Sequence, residues 1–179
     1  MKNKTIILGK PGSGKSYTAV EKALKNKGTT LIVNACCGKS YYERDFPQLR
    51  AYEEKESNVS FSIKNNEKYY IPHANESTVG FANALIFGCG YGKLQDDKHA
   101  TVLFDDGSWL YQKDKILTFW QLTHVKCGIV IVCNQLSDVF GLCSDRDLSK
   151  DMLGDISKYW NILQCNMPKE KPRQIRYHR

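Results

Sequence analysis

The sequence predicts an α/β domain: a mostly parallel central sheet with helices on both faces and a β-hairpin insertion. Three observations lead there. A strand, a helix and a second strand follow one another within the first 34 residues, and such a βαβ unit pairs its strands in parallel. Two later apolar runs, residues 99–107 and 127–135, are continuous rather than alternating, as in strands buried on both faces. The first strand also runs straight into a glycine-rich loop that opens a helix.

Taken in order, residues 5–8 (TIIL) are β-branched and apolar and form the first strand. Residues 16–27 form a helix, with Tyr17, Val20 and Leu24 at helical spacing, Ala19 and Ala23 beside them, and Lys27-Gly28 closing it. Residues 29–33 are the second strand. Residues 36–75 are polar and rich in tyrosine. Within them Val59, Phe61 and Ile63 alternate, Asn65-Asn66 marks a turn, and Tyr69 and Ile71 follow, which predicts the hairpin insertion. A helix is expected over 76–87, ended by the loop GCGYG at 88–92. That loop follows a helix rather than a strand, so it is not read as a phosphate loop. A helix over 113–124 separates the two long apolar strands. A short helix over 147–154 and closing strands over 159–165 and 174–178 complete a single domain spanning residues 1–179.

Lysine and arginine number 26 against 19 acids, a net charge of +7, which suits a polyanionic partner. The C-terminal segment 168–179 is the most basic stretch, with Lys169, Lys171, Arg173, Arg176 and Arg179 against Glu170. It reads either as a solvated tail or as a nucleic-acid contact. The longest apolar stretches, such as 82–87 and 128–132, are too short to span a bilayer. The polar start of the chain feeds directly into a strand, so no secretion signal is expected. Seven cysteines without a CxxC pair fit reduced thiols in a cytoplasm rather than a disulfide framework. Cys127, Cys133 and Cys143 lack the tight ligand pairs of a zinc site and read as small buried residues.

Chemistry concentrates in Gly9-Lys10-Pro11-Gly12-Ser13-Gly14-Lys15-Ser16, which matches GxxxxGK[ST] without a mismatch. At average residue frequencies a chance match in a chain of this length is below about 1%. The glycines let backbone N–H groups turn inward as an anion nest, and the following helix adds its positive end. Lys15 is placed to reach the β- and γ-phosphates of a nucleotide and Ser16 to coordinate Mg²⁺, with Tyr17 next in line as a nucleotide contact. A phosphate grip needs a metal holder at the end of another central strand. Asp105, after VLF, is the candidate Mg²⁺ holder, and Asp106 the candidate base for an attacking water. Asn134 and Gln135 close the next strand and are placed to position that water or sense hydrolysis. The run Asn134-Gln-Leu-Ser-Asp138 lacks the Asn-Lys-x-Asp of guanine-binding proteins, which argues for ATP over GTP.

GKPGSGKSYTAV, the pair Asp105-Asp106 and LTHVKCGIVIVCNQ together resemble the zonula-occludens-toxin-like assembly ATPases of filamentous phages. Those belong to the FtsK–HerA class of P-loop NTPases, which includes the genome-packaging ATPases of tailless icosahedral viruses. The three blocks span most of residues 5–136. The resemblance implies ATP hydrolysis by a hexameric ring that moves DNA. Lys15 and Ser16 would bind nucleotide and Mg²⁺, Asp105 and Asp106 would be the metal and water acids, and Gln135 the sensor. Partners would be DNA, further copies of the chain, and a capsid or portal protein, in the host cytoplasm or with the virion. This chain departs from the family in carrying Asp106 where a glutamate is usual, and in having no membrane segment of the phage type. The packaging ATPases are therefore the nearer analogy. Such rings complete each site with an arginine from the neighbour. Arg146 is the first candidate, followed by Arg44 and Arg173. The alternative reading is a small-molecule P-loop kinase of nucleoside or nucleotide type; Tyr41, Tyr42, Tyr69 and Tyr70 read equally as stacking a base, packing the hairpin or stacking on DNA. A third is a non-catalytic ATP-binding switch.

Overall fold

In the computed structural model, the apolar runs become the middle of an eight-stranded sheet. The structure describes residues 3–33, 39–52, 66–71, 93–105, 115–166 and 173–175. The strands are β1 (Lys4–Leu8), β2 (Thr30–Val33), β3 (Arg50–Ala51), β4 (Lys68–Ile71), β5 (Thr101–Phe104), β6 (Gly128–Cys133), β7 (Asn161–Gln164) and β8 (Arg173–Ile175). Their order across the sheet is β3-β4-β2-β5-β6-β1-β7-β8. The first seven run parallel, and β8 lies antiparallel to β7.

Every residue of β1, β2, β5 and β6 is buried, as expected of strands covered on both sides. Alternate residues face opposite ways. Ile7, Ile32, Leu103, Val130 and Val132 pack with Ala19, Val20 and Ala23 of helix α1 (Lys15–Leu24) and with Tyr42 of helix α2 (Lys39–Asp45). Ile6, Leu31, Val102, Phe104 and Ile129 pack with Phe119 and Leu122 of helix α3 (Lys115–His124) and Ile156 of helix α4 (Lys150–Tyr159). Trp160 clamps this second layer. Its ring stacks on Phe119 at 4.8 Å, and its Nε1 donates to Thr123 Oγ1 at 2.9 Å.

Several sequence expectations shift. The hairpin loses its second arm: Tyr69 to Ile71 belong to β4, a strand of the main sheet parallel to β2, in register Thr30↔Lys68 through Val33↔Ile71. Arg50–Ala51 and Lys68–Ile71 thus contribute β3 and β4 to the main sheet. Helix α1 ends at Leu24, before Lys27, because tertiary contacts take its last carbonyls. Lys68 Nζ donates to Leu24 O at 3.1 Å and to Asn26 O at 2.8 Å. The late helix starts at Lys150 rather than 147, where Ser149 Oγ accepts from the Met152 amide at 3.2 Å; Asp145–Asp147 is a separate 3-10 turn. The first hairpin arm at 59–63, the helix expected at 76–87, the glycine loop at 88–92 and most of the basic segment 168–179 lie outside the described residues.

Gly28 marks a close approach of the turn after α1 to the turn before β5. A β-carbon there would sit 2.2 Å from the carbonyl oxygen of His99, a contact with backbone that cannot swing aside. Gly28→Ala is expected to destabilise the fold by about 1–3 kcal/mol, read as a lower denaturant midpoint at unchanged slope.

Candidate functional site

The glycine-rich loop leaves the sheet at Leu8. The Gly9 amide still donates to Cys133 O at 3.2 Å, and the Ser13 amide then closes a turn onto Lys10 O at 3.1 Å. Gly12 and Gly14 take φ of 78° and 79°, in the left-handed region that favours glycine. Gly14 opens α1, and the Thr18 amide makes the helical bond back to its carbonyl at 3.0 Å. The helix has no side-chain cap and no acid in its first turn, so its orphan amides and positive end remain available to an anion.

Two further features fit a phosphate chain. Ser13 Oγ is buried and makes no hydrogen bond among the described residues. Gly9 leaves the room the turn needs: a β-carbon there would lie 2.3 Å from Ser13 Oγ and 2.8 Å from Cys165 O. Lys10 and Pro11 are exposed at the loop's rim. Lys15 Nζ reaches back across the loop to Lys10 O at 3.4 Å, and Ser16 is half-buried beside it. Tyr17 is 47% exposed, and its ring lies 5.2 Å from that of Phe46.

The sheet order gathers the other candidates at the same edge. β6 pairs with β1 on one side and β5 on the other, with Leu8 opposite Cys133 and Phe104 opposite Ile131. Parallel strands end together, so the loop, Asp105 and Asn134-Gln135 share the carboxyl edge. The strand spacing of about 4.8 Å puts β1 and β5 about 10 Å apart, with the amide-bearing β6 between them. β1 leads to α1 on one face, and β6 leads on toward α4 on the other. Such divergence at neighbouring strand ends is where parallel α/β sheets bind ligands.

Asp105 is 1% exposed, its amide donating to Val33 O at 3.1 Å and its Oδ2 accepting from the Tyr42 hydroxyl at 2.5 Å. Asp106 lies outside the described residues. Asp138 Oδ2 holds the strand end of β6, accepting from the Asn134 and Gln135 amides at 3.1 and 3.0 Å. Gln135 Nε2 donates to Cys143 O at 3.4 Å. Arg146 is exposed in the turn Asp145–Asp147, which Ser144 caps, and makes no ion pair among the described residues. Asp145 Oδ1 ties that turn back by accepting from the Ser137 amide at 2.7 Å. Arg44 is taken up by Asp45 at 2.6 Å. Arg173 lies in β8 at the far edge of the sheet.

The tyrosines pack against one another. Tyr42 and Tyr70 are fully buried and stacked on each other at 5.3 Å, and Tyr41 meets Tyr42 edge-on at 5.0 Å. Tyr42 is also the site residue no motif announced, since it lies on α2, 63 residues before Asp105. Cys127 and Cys133 stand at opposite ends of β6, about 20 Å apart at ~3.3 Å per residue, too far to share a zinc ion. Burial pushes the Cys127 thiol up to about 11. No group of three or more metal-ligating side chains gathers among the described residues. No protein-family model and no curated protein matches this chain.

Gly9→Ala is expected to weaken nucleotide binding by at least about tenfold and to lower stability by about 1–3 kcal/mol, because the new methyl displaces Ser13 or Cys165. Calorimetric titration with an ATP analogue, alongside thermal melting, reads both.

Proposed function

We propose that this chain is an ATP-hydrolysing motor that translocates nucleic acid, a viral or mobile-element DNA-packaging ATPase. The observation that carries the reading is the order β5-β6-β1, which sets the glycine loop, the buried Asp105 and the amides of Asn134 and Gln135 along one edge. In this reading the loop amides and Lys15 bind the phosphates of ATP, and Ser16 and Asp105 hold Mg²⁺. Held there, Mg²⁺ would supply neutralisation of the charge on the transferred phosphoryl group. Asp106 takes the proton of the attacking water, and Gln135 positions that water or registers loss of the γ-phosphate. The products are ADP and phosphate.

The assembly is a ring, most simply a hexamer, in which Arg146 reaches the site of the next copy. Its exposure and its freedom from ion pairs among the described residues support that role. The net charge of +7 and the resemblance to packaging ATPases support DNA as the cargo. A capsid or portal protein would be the docking partner, in the host cytoplasm or on the virion. No helix among the described residues is long and apolar enough to cross a membrane.

Phosphate release from Mg·ATP, measured alone and with duplex or single-stranded DNA, tests the reading. DNA is expected to stimulate hydrolysis, and Lys15→Ala and Asp106→Asn to reduce it at least about 100-fold, with Asp106→Asn still binding ATP. Turnover indifferent to DNA, with phosphate recovered on an added nucleoside or nucleotide, would replace the motor with a kinase.

A further inference from the structure

We propose that Tyr42 is a positioning residue for the metal site, its hydroxyl holding the Asp105 carboxylate in the orientation that takes up Mg²⁺ with ATP. The inference rests on the reading of this edge as a Mg·nucleotide site and adds a residue that no motif of the sequence marks.

Tyr42 comes from α2, an element outside all three motif blocks, and is fully buried. Its hydroxyl donates to Asp105 Oδ2 at 2.5 Å, the short length of a charge-assisted O–H···O⁻ bond. The ring is held on several sides. Tyr70 stacks on it at 5.3 Å with an interplanar angle of 14°, Tyr41 meets it edge-on at 5.0 Å, and Phe46 closes in at 6.5 Å. A phenol so packed keeps its oxygen in one place and fixes the rotamer of the short aspartate side chain. A carboxylate offers about four lone-pair sites, so one phenol hydrogen orients it and leaves capacity for a cation or its water shell. Outer partners of metal ligands act in this way, and removing one costs about 10- to 100-fold in metal affinity or activity.

Stacking alone would also explain a buried tyrosine, and the two roles separate experimentally. Tyr42→Phe keeps the ring and removes only the hydroxyl. Tyr70→Phe is its control, removing the partner hydroxyl that contacts Glu43 Oε1 at 3.3 Å while keeping the same stack. Full-length wild type, Tyr42→Phe, Tyr70→Phe and Lys15→Ala are compared by three readouts. These are binding of a non-hydrolysable ATP analogue in EDTA, Mn²⁺ binding by electron paramagnetic resonance with that analogue present, and the Mg²⁺ dependence of phosphate release. Tyr42→Phe is expected to bind analogue in EDTA as wild type does, to bind Mn²⁺ about tenfold or more weakly, and to recover turnover at high Mg²⁺. Tyr70→Phe is expected to match wild type in Mn²⁺ affinity. Wild-type Mn²⁺ affinity in Tyr42→Phe, or an equal loss in Tyr70→Phe, overturns the positioning role while Lys15-dependent analogue binding leaves the site reading standing. Analogue binding that is absent from wild type, or unaffected by Lys15→Ala, overturns both.

Discussion

The candidate site depends on one constraint above all: the parallel register of β1, β6 and β5. With Leu8 opposite Cys133 and Phe104 opposite Ile131, three strands that finish at Leu8, Phe104 and Cys133 in the chain end at the same edge. No side chain at the site brings the others there. A shift of β6 by one residue would exchange its two faces, turning Val130 and Val132 away from α1 and Ile129 and Ile131 away from α3. The packing of both faces therefore enforces the alignment on which the proposed site rests.

The opposite edge of the same strands adds a polar lock. Lys4 is buried, and its Nζ donates to Val125 O at 2.7 Å and Cys127 O at 2.6 Å, tying the start of β1 to the approach to β6. Burial holds its pKa below the ordinary lysine value. An ammonium group is taken out of water here at a cost, and carbonyl contacts offset it. Gly9, still bonded to Cys133 O, extends the pairing at the carboxyl end. The pair β1–β6 is thus held by hydrogen bonds just beyond both ends of its ladder, and the glycine loop departs from a rigid base.

The parts of this arrangement that local chemistry dictates were legible in the residues. The glycine loop, its strand and its helix are contiguous, and the left-handed turns at Gly12 and Gly14 fall where the sequence carries glycine. The strands ending in Asp105 and Asn134 were legible as unbroken apolar runs. What escaped depends on distant pairing. KYYI alternates like one arm of a hairpin, and only its parallel match to β2 makes it a sheet strand. The end of α1 at Leu24 follows from Lys68, 44 residues away, reaching its carbonyl. Tyr42 was visible only as one of several tyrosines with three open roles. Nothing nearby in the chain says that its hydroxyl meets Asp105.

Hydrogen–deuterium exchange with and without a Mg²⁺-bound non-hydrolysable ATP analogue tests the shared edge most directly. Slowed exchange is expected together at the amides of Gly12 to Ser16, at Asp105 and at Asn134-Gln135, with β3 and β4 unaffected. Slowing at the loop alone would contradict a single site built across three strands. No slowing at the loop would contradict a phosphate site there at all.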